Sequence, residues 1–263
     1  MPVRRHSRIS ARRRRKKLIF FAAAALLLLC AFLLLLRLLR KPSKPIPTPP
    51  YVVAIDAGHG GSDPGAVGLF RETDMAEATA VYLEYLLAQD ANYIPVLCRA
   101  PGESRTIAER AQTALEANAV LLLSIHANSA DNPEAAGFEC YPTLPSRYWG
   151  PESLAFARCL AARMQASGAL LRGENGVRYA WYVENGRGGY DKKIAEESGS
   201  IPSRYRGFGI LEDCGCPAVL AEQCFVTSAE DAAFWGTDAG YRTAAQAYYY
   251  AVCDYFGTEP IAF

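Results

Sequence analysis

The sequence predicts a single α/β domain with a mostly parallel sheet flanked by helices, preceded by one N-terminal transmembrane helix. Three observations predict it. Short apolar, β-rich runs alternate with stretches of helical periodicity, the pattern of strands joined by crossover helices. About 213 residues follow Pro50, enough for one domain with a sizeable core. Near the N-terminus, residues 18–36 are 19 consecutive uncharged residues dominated by Leu, Ala and Phe.

At helical rise that run spans roughly 28 Å, close to the roughly 30 Å of a hydrocarbon core. Residues 1–17 before it are rich in Arg and Lys, from Arg4 to Lys17. The positive-inside bias keeps this basic segment in the cytoplasm and exports the remainder of the chain. The expectation is therefore a single-pass protein of the cell membrane with an extracytoplasmic domain. Secretion after signal cleavage is the alternative, but it calls for an apolar region of about 7–15 residues and a small-x-small cleavage site. Here the run ends in Leu33 through Leu36 and Arg37. Residues 37–50 are Pro-rich and read as a semi-rigid spacer, leaving 51–263 as the folded domain.

Charge divides along the same line. Residues 1–44 hold 13 Lys or Arg and no acid, leaving 15 basic against 27 acidic residues beyond, a net of −12. Nucleic-acid binding by the domain is disfavoured, because an acidic surface repels phosphate. Of eight cysteines, Cys30 lies in the apolar run and seven lie in the domain. No paired CxxC motifs occur, so a four-cysteine zinc site is unsupported, and the spacing leaves disulfide pairing open.

Within the domain, residues 51–56 read as a buried strand. Residues 74–88 form the next element, a helix, with Met75, Ala78, Tyr82, Tyr85 and Leu86 on one face and Asp74 with Glu77 as a capping box. A strand is expected over 93–98, a helix over 106–118, and an apolar strand over 120–125 that runs into His126. Residues 137–141 suit another short strand and 153–166 a helix. Residues 218–221 form an apolar strand leading to Glu222, and Ala244, Tyr248, Ala251 and Tyr255 mark a last helix. Residues 173–207 break this rhythm. They are rich in Gly, Arg and Tyr, with a short helical stretch expected near 191–198, and a segment of this kind is a lid, a binding loop or disorder.

The chain has only three histidines, His6, His59 and His126. The last two each follow an apolar strand among small residues, which leave space for a ligand. Catalytic zinc takes three protein ligands and keeps one position open, so two His and a carboxylate would serve. Asp63, Glu72, Asp74 and Glu77 are the nearby carboxylates; Asp63 reads as a turn residue and the last two as a cap, which modestly favours Glu72. Hydrolysis also needs a proton carrier. Glu222, where an apolar strand runs out, reads equally as that carrier or as a partnered surface carboxylate.

Gly58-His59-Gly60-Gly61, Asp63-Pro64-Gly65, Glu72, then Ser124-Ile125-His126-Ala127-Asn128 and Pro217 through Glu222 resemble the zinc-dependent N-acetylmuramoyl-L-alanine amidases of the cell-separation and sporulation type. Arg99, residues 106–110 and residues 137–141 also match the family pattern. The resemblance implies a twisted sheet flanked by helices, one Zn2+ on His59, Glu72 and His126, and Glu222 as acid/base. It implies hydrolysis of the amide between N-acetylmuramate and L-alanine in peptidoglycan. Asn128 and Arg206 are candidates for substrate contact. The chain departs from the family at Gln223-Cys224-Phe225-Val226-Thr227-Ser228 and at Ala100 through Glu103, positions that bear on substrate contacts. In some relatives an inserted helix occludes the zinc until an activator protein displaces it; residues 173–207 would correspond, with Glu196 or Glu197 on the metal, or would equally serve as a substrate-binding insert. The competing functions are a zinc peptidase acting on the stem peptide and an autoinhibited or non-catalytic wall-binding module.

Overall fold

The computed structural model describes residues 20–21, 26–29, 31–32, 44 and 46–262. The chain divides into two units, Met1–Ile46 and Pro47–Phe263. In the first, residues 20–21, 26–29 and 31–32 are helical and exposed. Among the described residues no helix is long and apolar enough to cross a membrane. This corrects the transmembrane helix expected over 18–36. The rest of that span, the basic segment 1–17, and residues 37–43 and 45 of the spacer lie outside the described residues.

The second unit is built on a five-stranded sheet. Its strands are β1 (Tyr51–Ala57), β2 (Tyr93–Leu97), β3 (Leu121–Asn128), β4 (Glu139–Pro142) and β7 (Ala218–Phe225), in the order β2-β1-β3-β7-β4. All neighbours are parallel except the β4–β7 pair. Helix α1 (Glu72–Gln89) carries the chain from β1 to β2, and α2 (Ile107–Glu116) from β2 to β3. Thr106 caps α2 in a full capping box with Glu109. The remaining helices are α3 (Gly150–Ala166), α4 (Gly209–Asp213), α5 (Ala229–Phe234) and α6 (Asp238–Phe256).

Strand periodicity of two divides the sheet into two faces. Val53, Ile55, Leu121, Leu123, Ile125 and Val219 face the larger core, with Met75 and Leu83 of α1, Phe156 and Leu160 of α3, and Tyr248 and Val252 of α6. Ala54, Leu122, Ala218 and Leu220 face a smaller core with Ala111 and Ala114 of α2 and Ile210 and Leu211 of α4. Asp56, Ser124, His126 and Glu222 share the parity of this second face. Asp56 is sealed there by Arg110 Nη1, 2.6 Å from Oδ1, and by the Ser124 hydroxyl, 2.7 Å from Oδ2. Charges taken out of water need partners of this kind, although Arg110 Nε is buried without one. The smaller core stops short of the C-terminal side of β3 and β7, and the polar residues there line a cleft.

Three local expectations are corrected. Helix α1 starts at Glu72, two residues before the expected start, because loop carbonyls satisfy its first amides: Glu72 N donates to Ala66 O at 2.9 Å and Thr73 N to Pro64 O at 3.2 Å. Asp74 and Glu77 therefore form no capping box; Asp74 pairs with Arg71, and Glu77 accepts from Arg99 Nη1 at 2.6 Å. Residues 190–196 form a strand in place of the expected helical stretch. As β6 (Tyr190–Glu196) they pair antiparallel with β5 (Arg178–Glu184), a partner that local periodicity does not reveal. All seven domain cysteines are free, and Cys214 Sγ lies 3.9 Å from Cys216 Sγ.

Candidate active site

The loop leaving β1 begins with a tie to β3, Gly58 N donating to Ile125 O at 2.9 Å. His59 then adopts φ 60, the left-handed region that a residue with Cβ rarely occupies. Asp63 compensates locally. Its Oδ1 accepts from Gly65 N at 3.0 Å, and its Oδ2 lies 2.8 Å from His59 Nδ1. With Nδ1 held from behind, His59 Nε2 faces Glu72 Oε1 at 3.2 Å. Asp63 is thus a turn residue, as expected, and also the group that orients His59, a role its position in a turn motif had hidden.

Glu72 is buried in the first turn of α1. Its Oε2 accepts from Ala66 N at 2.7 Å; its Oε1 accepts from Ala127 N at 3.1 Å and lies 2.8 Å from His126 Nδ1. Burial works against its charge, but the contacts with His126 and His59 and the Ala66 amide hold it well below the usual carboxylate range. The Glu72 contact conversely pushes His59 up to about 9, against the opposing effect of burial. The site therefore favours positive charge at the point where the three side chains meet.

The two rings stand 5.1 Å apart at 78°, and one ligand atom from each of His59, Glu72 and His126 falls within 4.8 Å of the others. Glycines clear the space around them. A Cβ on Gly58 would lie 2.3 Å from His126 Cε1, and one on Gly65 would lie 2.5 Å from Glu72 Oε2. Two imidazoles and one carboxylate, converging in a cradle that side chains at 58 and 65 would fill, fit a divalent ion of the zinc type.

Glu222 lies beside this cluster. It pairs in register with His126 on one side and Glu139 on the other, so it sits inside β7, which continues to Phe225. The expectation that it ends the strand is corrected; the run 218–225 is buried throughout, and Glu222 is only 8 % exposed. Its Oε2 is buried without a hydrogen-bond partner. Burial pushes it up to about 7 against the attraction of His126, with Glu72 and Glu139 reinforcing the rise.

Glu139 was not singled out from the sequence. It is buried and accepts from Asn128 Nδ2 (2.7 Å), the Tyr141 hydroxyl (2.7 Å), Arg172 Nε (3.1 Å) and Arg178 Nη1 (2.7 Å). It fixes Asn128 at the rim of the cleft. The only signal for it was its place in the motif-like stretch 137–141; apart from Tyr141 its partners lie elsewhere in the chain, at Asn128, Arg172 and Arg178.

The cleft has a volume of about 1500 Å³ and contains His59, Glu72, His126 and Glu222 at one end. Tyr182 and Tyr190 of the hairpin, the segment from Arg204 to Phe208, and Thr106 at the start of α2 complete its walls. Both candidates for substrate contact line it: Asn128 beside the cluster, and Arg206, which also bonds Asp213 Oδ1 at 2.7 Å. Glu196 and Glu197 do not join the cluster, contrary to one of the two roles open to residues 173–207, occlusion of the metal; the other is substrate binding. Glu196 pairs with Arg178, and Glu197 bonds Arg158 and Asn175 Nδ2. The hairpin forms a wall of the cleft, and the site stays open.

Fold and site together define a hydrolytic enzyme of the α/β class, organised around a cluster suited to a divalent metal with an uncommitted carboxylate beside it. Residues 53–254 match the Amidase_3 family, described as N-acetylmuramoyl-L-alanine amidase. The chain belongs to this family. Its reaction is hydrolysis of the amide between N-acetylmuramate and L-alanine in peptidoglycan. A putative N-acetylmuramoyl-L-alanine amidase of Buchnera aphidicola is 27% identical over 67% of this chain and 83% of its own length. LytC of Bacillus subtilis, an N-acetylmuramoyl-L-alanine amidase, is 30% identical over 68% of this chain, which spans only 30% of that relative. Among solved structures, the catalytic domain of CwlV from Paenibacillus polymyxa superposes with a TM-score of 0.63 at 27% identity, covering 80% of this chain and 99% of that one. CwlD of Clostridioides difficile, solved in complex with the GerS lipoprotein, shares the fold at 19% identity and a TM-score of 0.60, over 79% and 98% of the two chains.

Proposed function

We propose that the amidase reaction runs on zinc held by His59, Glu72 and His126, with Glu222 as the general acid/base. The observation that carries this reading is the uncommitted Oε2 of Glu222, buried in the cleft on the strand next to His126. Zinc bound there would supply Lewis acidity toward the scissile carbonyl and lower the pKa of water. Glu222 takes a proton from the water that attacks the lactyl carbonyl. It returns that proton to the amide nitrogen as the C–N bond breaks, leaving a lactyl carboxylate and the free amine of L-alanine. Burial favours the protonated form of this carboxyl while His126 favours the ionised one, opposing influences that suit a group which both takes and returns a proton. Asp63 keeps His59 Nε2 turned toward the cluster, the orienting role that a partner of a metal-binding imidazole performs. The site of action is extracytoplasmic, where peptidoglycan is. A protein activator is a further expectation, supported by the fold shared with CwlD in its GerS complex.

The test is digestion of purified cell wall by the full chain. New N-terminal L-alanine is expected, abolished by chelation, restored by zinc and absent in Glu222→Gln. Equal digestion by Glu222→Gln would refute the assigned role, and release of free D-amino acids would instead identify a peptidase.

A further inference from the structure

The wall of the cleft made by residues 204–208 takes no part in that proton transfer, yet it is firmly constructed. Three successive residues there are tied down. Tyr205 O accepts from Arg147 Nη2 at 2.8 Å, Arg206 O from Tyr182 N at 3.0 Å, and Gly207 N donates to Glu212 Oε1 at 2.9 Å. Glu212 also holds Arg147 Nε at 2.6 Å, closing the frame. Arg206 therefore lines the cleft from a fixed backbone, and Arg204 lines it one residue before the tied segment.

Their charges are available, unlike those of Arg110, Arg172 and Arg178; Arg105, also on the cleft wall, pairs with Glu103 at 2.8 Å and donates to the Thr113 hydroxyl at 3.0 Å. Arg110 is sealed against Asp56, and Arg172 and Arg178 are committed to Glu139. Arg204 donates to the Tyr205 hydroxyl at 2.6 Å and stacks over that ring at 4.7 Å, with no carboxylate partner among the described residues. Arg206 pairs with Asp213, but both side chains are more than half exposed, at 63% and 55%. Exposed pairs of this kind are weak and exchange readily. Of the carboxylates in the cleft, Asp63, Glu72 and Glu222 belong to the catalytic end, and Glu184 ends β5. Two available guanidinia in a domain of net charge −12 make a localised anion-attracting point.

A guanidinium presents paired N–H donors that match a carboxylate and lose both charge and one acceptor when it becomes a carboxamide. We propose that Arg204 and Arg206 form a carboxylate subsite, selecting stem peptides whose internal carboxyl groups are free over those in which they are amidated. This rests on the amidase reading above and adds to it a substrate preference set away from the reacting atoms.

The test compares two synthetic N-acetylmuramoyl tetrapeptides, one with free internal carboxylates and one with carboxamides, using the zinc-loaded full chain. The wild type is expected to favour the free form about tenfold in kcat/KM, through KM, the scale of one charge-assisted hydrogen bond. In Arg204→Gln/Arg206→Gln the preference should collapse toward unity, while Arg204→Lys/Arg206→Lys retains part of it. Equal cleavage of both peptides by the wild type would overturn the subsite alone, as would an undiminished preference in the Gln variant. Cleavage of neither peptide by a preparation that digests purified cell wall would likewise overturn the subsite and leave the amidase reading standing.

Discussion

Replacing Gly58 with alanine tests the metal cradle by steric means alone. Gly58 does not adopt a left-handed backbone, so alanine is conformationally acceptable there. The added methyl would lie 2.3, 2.5 and 2.7 Å from Cε1, Nδ1 and Nε2 of His126. Carbon atoms in contact settle at about 3.5–4.0 Å, so the imidazole must retreat by more than about 1 Å. Metal–ligand distances tolerate about 0.2 Å. A misplacement of about 1 Å at a reacting centre costs on the order of 100-fold, or about 2.7 kcal/mol. Gly58→Ala is therefore expected to lose about 100-fold in kcat/KM on a muramoyl peptide, with zinc affinity falling alongside it in competition against a chromophoric chelator. Circular dichroism should show the native fold. Wild-type zinc affinity together with kcat/KM within about threefold of wild type would refute the cradle geometry.

Two further outcomes are expected of the site. Asp63→Ala frees the His59 ring and should weaken zinc binding about 10- to 100-fold by the same competition assay; unchanged affinity would reduce Asp63 to its turn role. Glu222 provides a pH test in metal-free protein. Burial raises it from 4.5 to about 7, so the folded state binds the proton more tightly than the unfolded chain. Stability from this group is complete below about 4.5 and is lost as pH rises through about 7. Glu222→Gln, which cannot ionise, should therefore gain on the wild type across that window, by at most about 3 kcal/mol in urea titrations. Parallel stability curves would show that Glu222 ionises without a burial cost.

The legible parts of this protein are those in which the signal is local. The apolar runs before His59 and His126 announce two strands, because a buried parallel strand reads as a continuous apolar stretch. Thr106 and Glu109 announce the start of α2, since a capping box is complete within four residues. Glycines around the two histidines mark the space a ligand needs. Helices α4 and α5 gave no such signal, being five and six residues long, too short to display a period. The hairpin was missed for a different reason: β5 and β6 stabilise each other across a turn, and the exposed β6 carries no apolar signature of a core strand.

Glu222 marks the boundary most clearly. The sequence shows a carboxylate after an apolar run and leaves its role evenly divided, because nothing local states whether water reaches it. Packing decides. β3 and β4 flank β7, so Glu222 is set between His126 and Glu139, with one oxygen buried and uncommitted. Asp63 and Glu139 were likewise invisible as supporting groups, since their partners lie across a loop or on distant segments. By itself the sequence determined the core strands and the longer helices, the two histidines and the family, through periodicity and short motifs. Only the tertiary structure decided which carboxylates meet the histidines, which arginines remain available, and that residues 173–207 wall the cleft without plugging it. Charge and hydrogen bonding act through space, and that proximity is created by folding.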